Sequence, residues 1–459
     1  MKKILFVEPM GTSSNVFSKY MKIPLLGPVI LGTIAKEAGF DVAIINENII
    51  DRRIQVNELL DVDVLCLSCI TATVARGKEI AREYKALRKA HGLEAKTIIG
   101  GIHASMLPND VTPYFDQVVV GEAENSILDI LSGKIKEKIV YCQRPEDLDS
   151  LPIPDFSLIK GSERISNIPV MTSRGCPHHC NFCSVTAMFG KKYRSQSPDR
   201  VLREVSRYKK GVIFFIDDNF TANLKRSNEI FDKMIGSGFN RPWTAQVRTE
   251  ITKRPEFVTK MKRAGCNTVY VGFESVNPKA LKDMKKGQDV EDIRRSITSF
   301  HNQSILVHGM FVLGFDTDTK SVFKMTKDFC RETGLDYVQY GVLTPIPGSE
   351  FYRQIEIEGR FLSKDWSLYD GLHTVFLPKN MVASELQMGM IECFSDFYSY
   401  TNGVNDGLKF VFKTIKAVIE SLYTKACFPS LHPFIMKFAG KEIIKRWLLE
   451  NVEYLSRLS

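Results

Sequence analysis

Short runs of aliphatic and β-branched residues at 4–8, 42–45, 64–68, 97–99 and 117–120 alternate with longer stretches in which apolar residues recur every three or four positions. Runs that short and that uniformly apolar predict strands covered on both faces. Between them, 27–39 and 75–90 read as amphipathic helices, the second with Ile80, Ala81, Tyr84 and Leu87 on one side. Five strands with intervening helices predict a doubly wound parallel sheet over residues 1–135, and such sheets bind ligands beyond the carboxyl ends of their strands. A Pro- and Asp-rich stretch with Pro145, Pro152 and Pro154 marks a linker at 136–165. From 166 to 380 the strand–helix alternation repeats six times, with strands at 170–173, 212–217, 244–248, 268–274, 306–314 and 337–343. Six units are too few for a closed eight-stranded barrel and predict an open, partial (β/α)6 barrel. Residues 381–459 read as helical, without strands or a catalytic motif. The fold class is therefore α/β, with a helical C-terminal region.

Composition changes this picture little. With 459 residues, 44% hydrophobic and 25% charged, the chain has the make-up of an ordinary globular protein of two or three domains. No apolar run reaches the 18 residues of a membrane span; the longest, near 305–315, is broken by His308 and glycines. Glu8 and Pro9 end the N-terminal apolar stretch too soon for a signal peptide, so it reads as a first strand. Ten cysteines, dispersed except for three, point to a reducing compartment, and the cytoplasm is the expected location. The net charge of +9 comes from 62 basic and 53 acidic residues without a long basic block, so nucleic acid is not an expected partner. Lys191, Lys192 and Arg194 read as a solvated or anion-facing loop. The last 66 residues hold twelve aromatic side chains, among them Phe410, Phe412, Tyr423 and Phe428. Helices burying their own apolar face explain these; a lid or apolar substrate pocket, placed at a membrane surface by Lys409, Lys413, Lys416 and Lys425, is the alternative.

Polar residues and glycines gather where the strands end. In the first domain these are Ser68 and Thr71, Gly100, Gly101 and His103, then Gly121 and Glu122. In the second they are Asp217, Asp218 and Asn219, Gln246 and Arg248, Glu274 and Ser275, and Gly314. After the first strand of the second domain comes Arg-Gly-Cys-Pro-His-His-Cys-Asn-Phe-Cys, with Cys176, Cys180 and Cys183. Three thiolates leave an iron–sulfur cubane one ligand short, and the nearest other cysteines, Cys142 and Cys266, are more than thirty residues away. An iron free to bind a small molecule is the economical reading. The spacing also admits a zinc site completed by His178 or His179, or three unrelated buried cysteines.

The cysteine spacing, with Phe182 before the last thiol and Arg-Gly before the first, resembles the cluster loop of radical S-adenosylmethionine (SAM) enzymes. An α/β domain ahead of that loop resembles the cobalamin-binding branch of the superfamily. So do Thr344-Pro-Ile-Pro-Gly-Ser349 and Asp365-Trp-Ser-x-x-Asp-Gly371. The resemblance implies a 4Fe–4S cluster on Cys176, Cys180 and Cys183, with SAM contacts led by Glu274, followed by Asp217, Gln246 and Arg248, and including Phe182 and Gly314. It implies cobalamin at Ser68, Thr71, Gly100, Gly101, His103, Gly121 and Glu122. No Asp-x-His-x-x-Gly sequence supplies an axial histidine, so cobalt is expected without one, although His103 is the one histidine in these loops. The first domain could instead be a degenerate sheet that binds no cofactor. Methylthiotransferases share the α/β-then-radical-SAM order, but their three additional cluster cysteines are matched poorly by Cys66, Cys69 and Cys142. The implied reaction is methyl transfer to a poorly activated carbon or phosphorus of a small-molecule or lipid-like substrate. A flavodoxin or ferredoxin would supply electrons. Cyclisation or rearrangement is the alternative within the branch, and a non-catalytic iron–sulfur or cobalamin sensor the alternative outside it.

Overall fold

The structure, a computed structural model, describes residues 2–11, 22–178, 180–284, 286–399 and 432–458. It divides into two compact units, Met1–Lys233 with Pro345–Gly359 and Ser363–Asp370, and Met234–Thr344 with Arg360–Leu362 and Gly371–Ser459. The first unit contains the whole N-terminal sheet, the cluster loop and all but Thr344 and Gly371 of the two C-terminal motifs.

The sheet of the first unit has six parallel strands: β1 (Lys3–Glu8), β2 (Asp41–Asn46), β3 (Val64–Ser68), β4 (Lys96–Gly100), β5 (Gln117–Val120) and β6 (Ile139–Tyr141), in the order β2-β1-β3-β4-β5-β6. Successive residues of a strand point to opposite faces, and here both faces are apolar. Ile4, Phe6, Val64, Cys66, Ile98 and Val119 enter one core cluster, while Leu5, Val7, Leu65, Leu67, Ile99 and Val118 enter the other. Helix α1 (Leu26–Glu37) covers the first face through Val29 and Ala35, and α2 (Val74–Ala90) covers the second through Val74, Ile80, Ala81 and Tyr84. The sixth strand, three residues with only Val140 buried, falls in the segment read as linker. The rest of that segment is packed as well: Ile159 bridges Ile44 of β2, and Asp155 pairs with Lys36 at 2.8 Å.

Further along the first unit, β7 (Asn167–Val170) pairs in parallel with β10 (Val212–Phe215). Between them, β8 (Ser173–Arg174) and β9 (Arg194–Ser195) form a short antiparallel ribbon that frames the cluster loop and helix α3 (Val185–Phe189). In the second unit β11 (Trp243–Val247), β12 (Cys266–Glu274), β13 (Leu306–Leu313) and β14 (Tyr337–Val342) pair in parallel, each with the next. On β13 the residues Val307, Gly309, Phe311 and Leu313 are buried, and the alternate set Leu306, His308, Met310 and Val312 is half-buried. The buried set faces helices: Phe311 meets Phe329 of α4 (Ser321–Thr333), and beside it Tyr340 meets Phe394 of α5 (Ala383–Phe397). The half-buried set lies on the other face, where the polar strand-end residues are found.

The described part of the aromatic tail packs on the second unit. Trp447 of α6 (His432–Glu450) lies 5.4 Å from His373, and Tyr454 Oη donates to Gln387 Oε1 at 2.8 Å. Phe410, Phe412, Tyr423 and Phe428, with Lys409, Lys413, Lys416 and Lys425, lie outside the described residues. No helix among the described residues is long and apolar enough to cross a membrane.

Candidate active site

The cluster loop rests on an anchored base. Asp217, just beyond β10, is buried and accepts from the Thr172 N–H at 3.2 Å, from Thr172 Oγ1 at 3.1 Å and from Ser173 Oγ. Burial pushes the Asp217 carboxyl up, and the Ser173 hydroxyl opposes this first. Its oxygens thus fix the chain just before Arg174. Arg226 brackets the same point, donating to the Thr172 carbonyl at 3.0 Å and to the Gln196 carbonyl at 2.7 Å. On the far side the Asn181 carbonyl accepts from the Phe351 N–H at 2.9 Å. Gly348, at φ 91°, lies so close to Met106 that a Cβ there would overlap its sulfur, and Ala187 Cβ would be 3.2 Å away. The Pro-x-Pro-Gly turn is therefore seated against Met106 and the helix that follows the cysteines.

Cys176, Cys180 and Cys183 are half-buried on this one loop, with the Cys183 N–H closing a turn onto the Cys180 carbonyl at 3.1 Å. Burial pushes the Cys183 thiol up to about 11, and the charges of Asp218, Cys180 and Cys176 add to the shift. Cysteine binds iron as thiolate, so iron's positive charge must overcome this shift and binding must release protons. Cys66, Cys69, Cys266, Cys330 and Cys393 are instead buried, Cys66 and Cys69 among the apolar side chains flanking the first sheet. Among the described residues no three His, Cys, Asp or Glu side chains are grouped to hold a single metal ion; a cubane places its thiolates on separate irons and does not need such a grouping. His178 is described, whereas His179 of the zinc alternative lies outside the described residues.

A cavity of about 160 Å³ lies at the carboxyl ends of β1, β3, β4 and β5. Ser68, Gly100, Gly101, Gly121 and Glu122 line it as expected, together with Phe6, Cys66, Ile98 and Val119 from the α1 face. It is too small for a corrin macrocycle but suits one apolar appendage such as an aromatic base, so the wall fits part of a cobalamin. Two expected contacts are placed elsewhere. His103 is fully buried away from the cavity wall, with Nε2 3.0 Å from Asp110 and its ring edge-on to Trp366 at 5.4 Å. Thr71 is buried in a 3₁₀ turn and is also absent from the wall. Gly101 has φ 93°, and a Cβ there would come within 2.6 Å of the Cys69 carbonyl oxygen, so its need for glycine arises inside the protein.

In the second unit Glu274 ends β12 at φ 62°, beside a register shift against β13. A carboxylic side chain in the left-handed region is strained, and a bulge re-aims the side chain it carries. Its carboxylate pairs with Lys286, the two side chains being 13% and 6% exposed. Lys286 was not anticipated from sequence, nor was the strap it belongs to. Gln288 donates to the Phe273 carbonyl at 2.9 Å and accepts from Thr249 Oγ1 at 3.0 Å, and Arg248 donates to the Lys286 carbonyl. With its Nε also 2.9 Å from Glu250, Arg248 is a support for this strap. The Gly314 N–H is taken by buried Asp318 at 3.1 Å, which Asn277 also holds at 2.9 Å. Gln246 is half-buried with no hydrogen-bond partner among the described residues, in register with Tyr270, His308 and Tyr337 across the four strands. His308 stacks on Tyr270 at 4.5 Å, its Nε2 lacks a partner among the described residues, and burial pushes it down to about 4, so it is neutral at ordinary pH.

Comparison with known proteins agrees with this arrangement. The B12 binding domain family matches residues 16–131 and the Radical SAM superfamily residues 170–330. Over 413 residues the chain is 29% identical to the bacteriochlorophyllide d C-12(1)-methyltransferase of Chlorobaculum tepidum, covering 86% of this chain and 87% of that protein. Among solved structures, the cobalamin-dependent SAM radical enzyme OxsB superposes with a TM-score of 0.68 at 14% identity, covering 100% of this chain and 80% of that one. The radical SAM methyltransferase TsrM of Kitasatospora setae gives 0.62 at 15% identity, covering 78% of each. With the cysteine loop and the strand-end cavity in one unit, these matches identify the chain as a cobalamin-dependent radical SAM enzyme of the methyltransferase family, using a 4Fe–4S cluster, SAM and cobalamin.

Proposed function

We propose that this enzyme methylates an unactivated carbon of a flat, largely uncharged small molecule. The observation that carries the reading is the composition of one sheet face in the second unit: Gln246, Tyr270, His308 and Tyr337 stand in one row, uncharged at neutral pH, with a free amide and a neutral imidazole among aromatic rings. Ring edges carry the positive end of the aromatic quadrupole and suit the face of a conjugated ligand. When bound, the cluster and SAM supply a radical and cobalamin supplies the methyl group.

The chain's own residues divide the remaining work. Cys176, Cys180 and Cys183 hold the cluster; Asp217 and Arg226 fix the base of their loop. Glu274, re-aimed by its bulge and held by Lys286, orients SAM, with Gln246 and Phe182 as further contacts and Arg248 and Gly314 as supports. Ser68, Gly100 and Gly121 wall the cobalamin appendage.

The test is anaerobic turnover of cluster- and cobalamin-loaded protein with SAM labelled at its methyl group, against a panel of conjugated macrocycles, polycyclic terpenoids and charged controls. Label in a carbon-bound methyl of a flat, neutral substrate is expected, with S-adenosylhomocysteine and 5′-deoxyadenosine both formed. Formation of 5′-deoxyadenosine and a rearranged, unlabelled product would replace methylation by radical rearrangement.

A further inference from the structure

Arg174 and Arg194 stand directly opposite each other in the β8–β9 ribbon, the two-strand clasp that closes around the cluster loop. Like charges facing across a ladder are destabilising, and these are buried, their side chains 6% and 3% exposed. A single carboxylate reconciles them. Glu122, just beyond β5 and itself 3% exposed, takes Arg174 Nη1 on Oε2 at 2.5 Å, Arg194 Nη1 on the same oxygen at 3.0 Å, and Arg194 Nη2 on Oε1. Glu124 pairs with Arg174 Nη2 at 2.7 Å, and the more exposed Arg144 approaches Glu122 Oε1 at 3.7 Å. The clasp around the cluster loop is therefore closed by a residue of the cobalamin-binding sheet.

The same residues wall the strand-end cavity. Glu122, Glu124 and Arg174 line it together with Met171, which precedes the ribbon, and Met188 and Phe189, which follow the cysteines. One side of the cavity is thus built from both ends of the cluster loop. A group filling the cavity presses on the segment that the cluster must order, and an assembled cluster fixes the wall that the group must meet.

We propose that Glu122 is a positioning residue that couples the two cofactors, so that cluster assembly and cobalamin binding reinforce each other through the Glu122–Arg174–Arg194 clasp. Linkage makes the effect reciprocal: whatever factor the cluster adds to cobalamin affinity, cobalamin adds to cluster retention. The proposal rests on the cofactor assignment and is independent of the reaction or substrate.

The test is a hydroxocobalamin titration, followed by its visible spectrum, of full-length wild-type protein with and without a reconstituted cluster. Cobalamin should bind about tenfold tighter to the cluster-loaded form, and iron loss to a chelator should slow by a similar factor when cobalamin is present. In Glu122→Gln/Arg194→Gln, which leaves Arg174 matched by Glu124, the ratio should fall below about twofold while far-ultraviolet circular dichroism stays that of wild type. Equal wild-type affinities with and without the cluster would overturn the proposal, as would tenfold coupling surviving in the double variant. No cobalamin binding in either state would overturn the cofactor assignment itself.

Discussion

Glu274 offers a perturbation whose structural and chemical effects separate. Glu274→Gln keeps the shape, the left-handed backbone and a hydrogen bond to Lys286, but leaves the lysine's charge unmatched in a site where both side chains are at most 13% exposed. Breaking a pair that buried costs about 3 kcal/mol. In a unit of about two hundred residues that corresponds to a fall of roughly 6–12 °C in melting temperature. Glu274→Gln/Lys286→Met removes both charges, and such a replacement is close to neutral, so the melting temperature should return to within about 3 °C of wild type. SAM binding should not return with it. Losing a charged hydrogen bond is worth about 1.5–3 kcal/mol, or roughly 10- to 150-fold in affinity, in the single and double variants alike. Thermal denaturation of the anaerobic protein and equilibrium dialysis of SAM supply the two readouts. A double variant that recovered its stability and bound SAM as wild type does would refute the reasoning and reduce Glu274 to half of a structural ion pair.

Cys183→Ala should leave the fold intact but prevent cluster assembly, read as lost iron, lost visible absorbance and no 5′-deoxyadenosine; cluster content equal to wild type would remove Cys183 from the ligand set. His103→Ala should leave the spectrum of bound cobalamin unchanged, because the imidazole faces Asp110 and Trp366, while its large-to-small change in the core lowers stability by about 2 kcal/mol; a change in cobalt ligation on this substitution would contradict that placement. Glu8 is buried at the end of β1, and burial raises its carboxyl from 4.5 to about 7. The folded state then resists ionising a group that the unfolded chain ionises freely, so this contribution is fully present below pH 4.5 and lost as pH rises through 7. Glu8→Gln should match wild type in stability at pH 4.5 and exceed it above pH 7, by up to about 3 kcal/mol; denaturant unfolding at the two pH values checks the sign.

The strands of the first sheet were legible because both of their faces are buried, which writes them as unbroken apolar runs. β6 was missed for the opposite reason: three residues with one buried side chain give no period to read. The cysteine loop and the carboxyl-end glycines carried the site, since their spacing is local. Partners distant in sequence did not show. Arg194, beside the exposed Lys191 and Lys192, reads as part of a solvated basic stretch, whereas the structure buries it against a glutamate 72 residues earlier. Lys286 escaped notice because an isolated lysine is nearly always a surface residue. Asp217, Arg248 and Gly314 stand out in the sequence as polar or flexible positions at strand ends, and in the structure their hydrogen bonds run to neighbouring protein groups. A strand-end residue of that kind is required as much by a loop that must be held still as by a ligand.

The two C-terminal motifs make the same point from another direction. The chain leaves the first unit after Lys233 and re-enters it at Pro345, and the residues that return are those of the Pro-x-Pro-Gly turn and the Asp-Trp-Ser stretch. Asp365 caps its own turn through the Ser367 N–H at 3.0 Å, and the other contacts hold neighbouring segments. Gly348 lies against Met106 and Ala187, the Phe351 N–H holds Asn181 inside the cysteine loop, and Trp366 covers His103 and reaches Asp110 at 3.4 Å. An open cluster loop makes few backbone hydrogen bonds of its own, so its shape must come from what surrounds it. Here the surroundings are supplied by segments more than 150 residues further along the chain. The cluster site is therefore complete only after more than a hundred residues of the second unit have been traversed, and a substitution in that returning segment should register first in iron content rather than in SAM affinity.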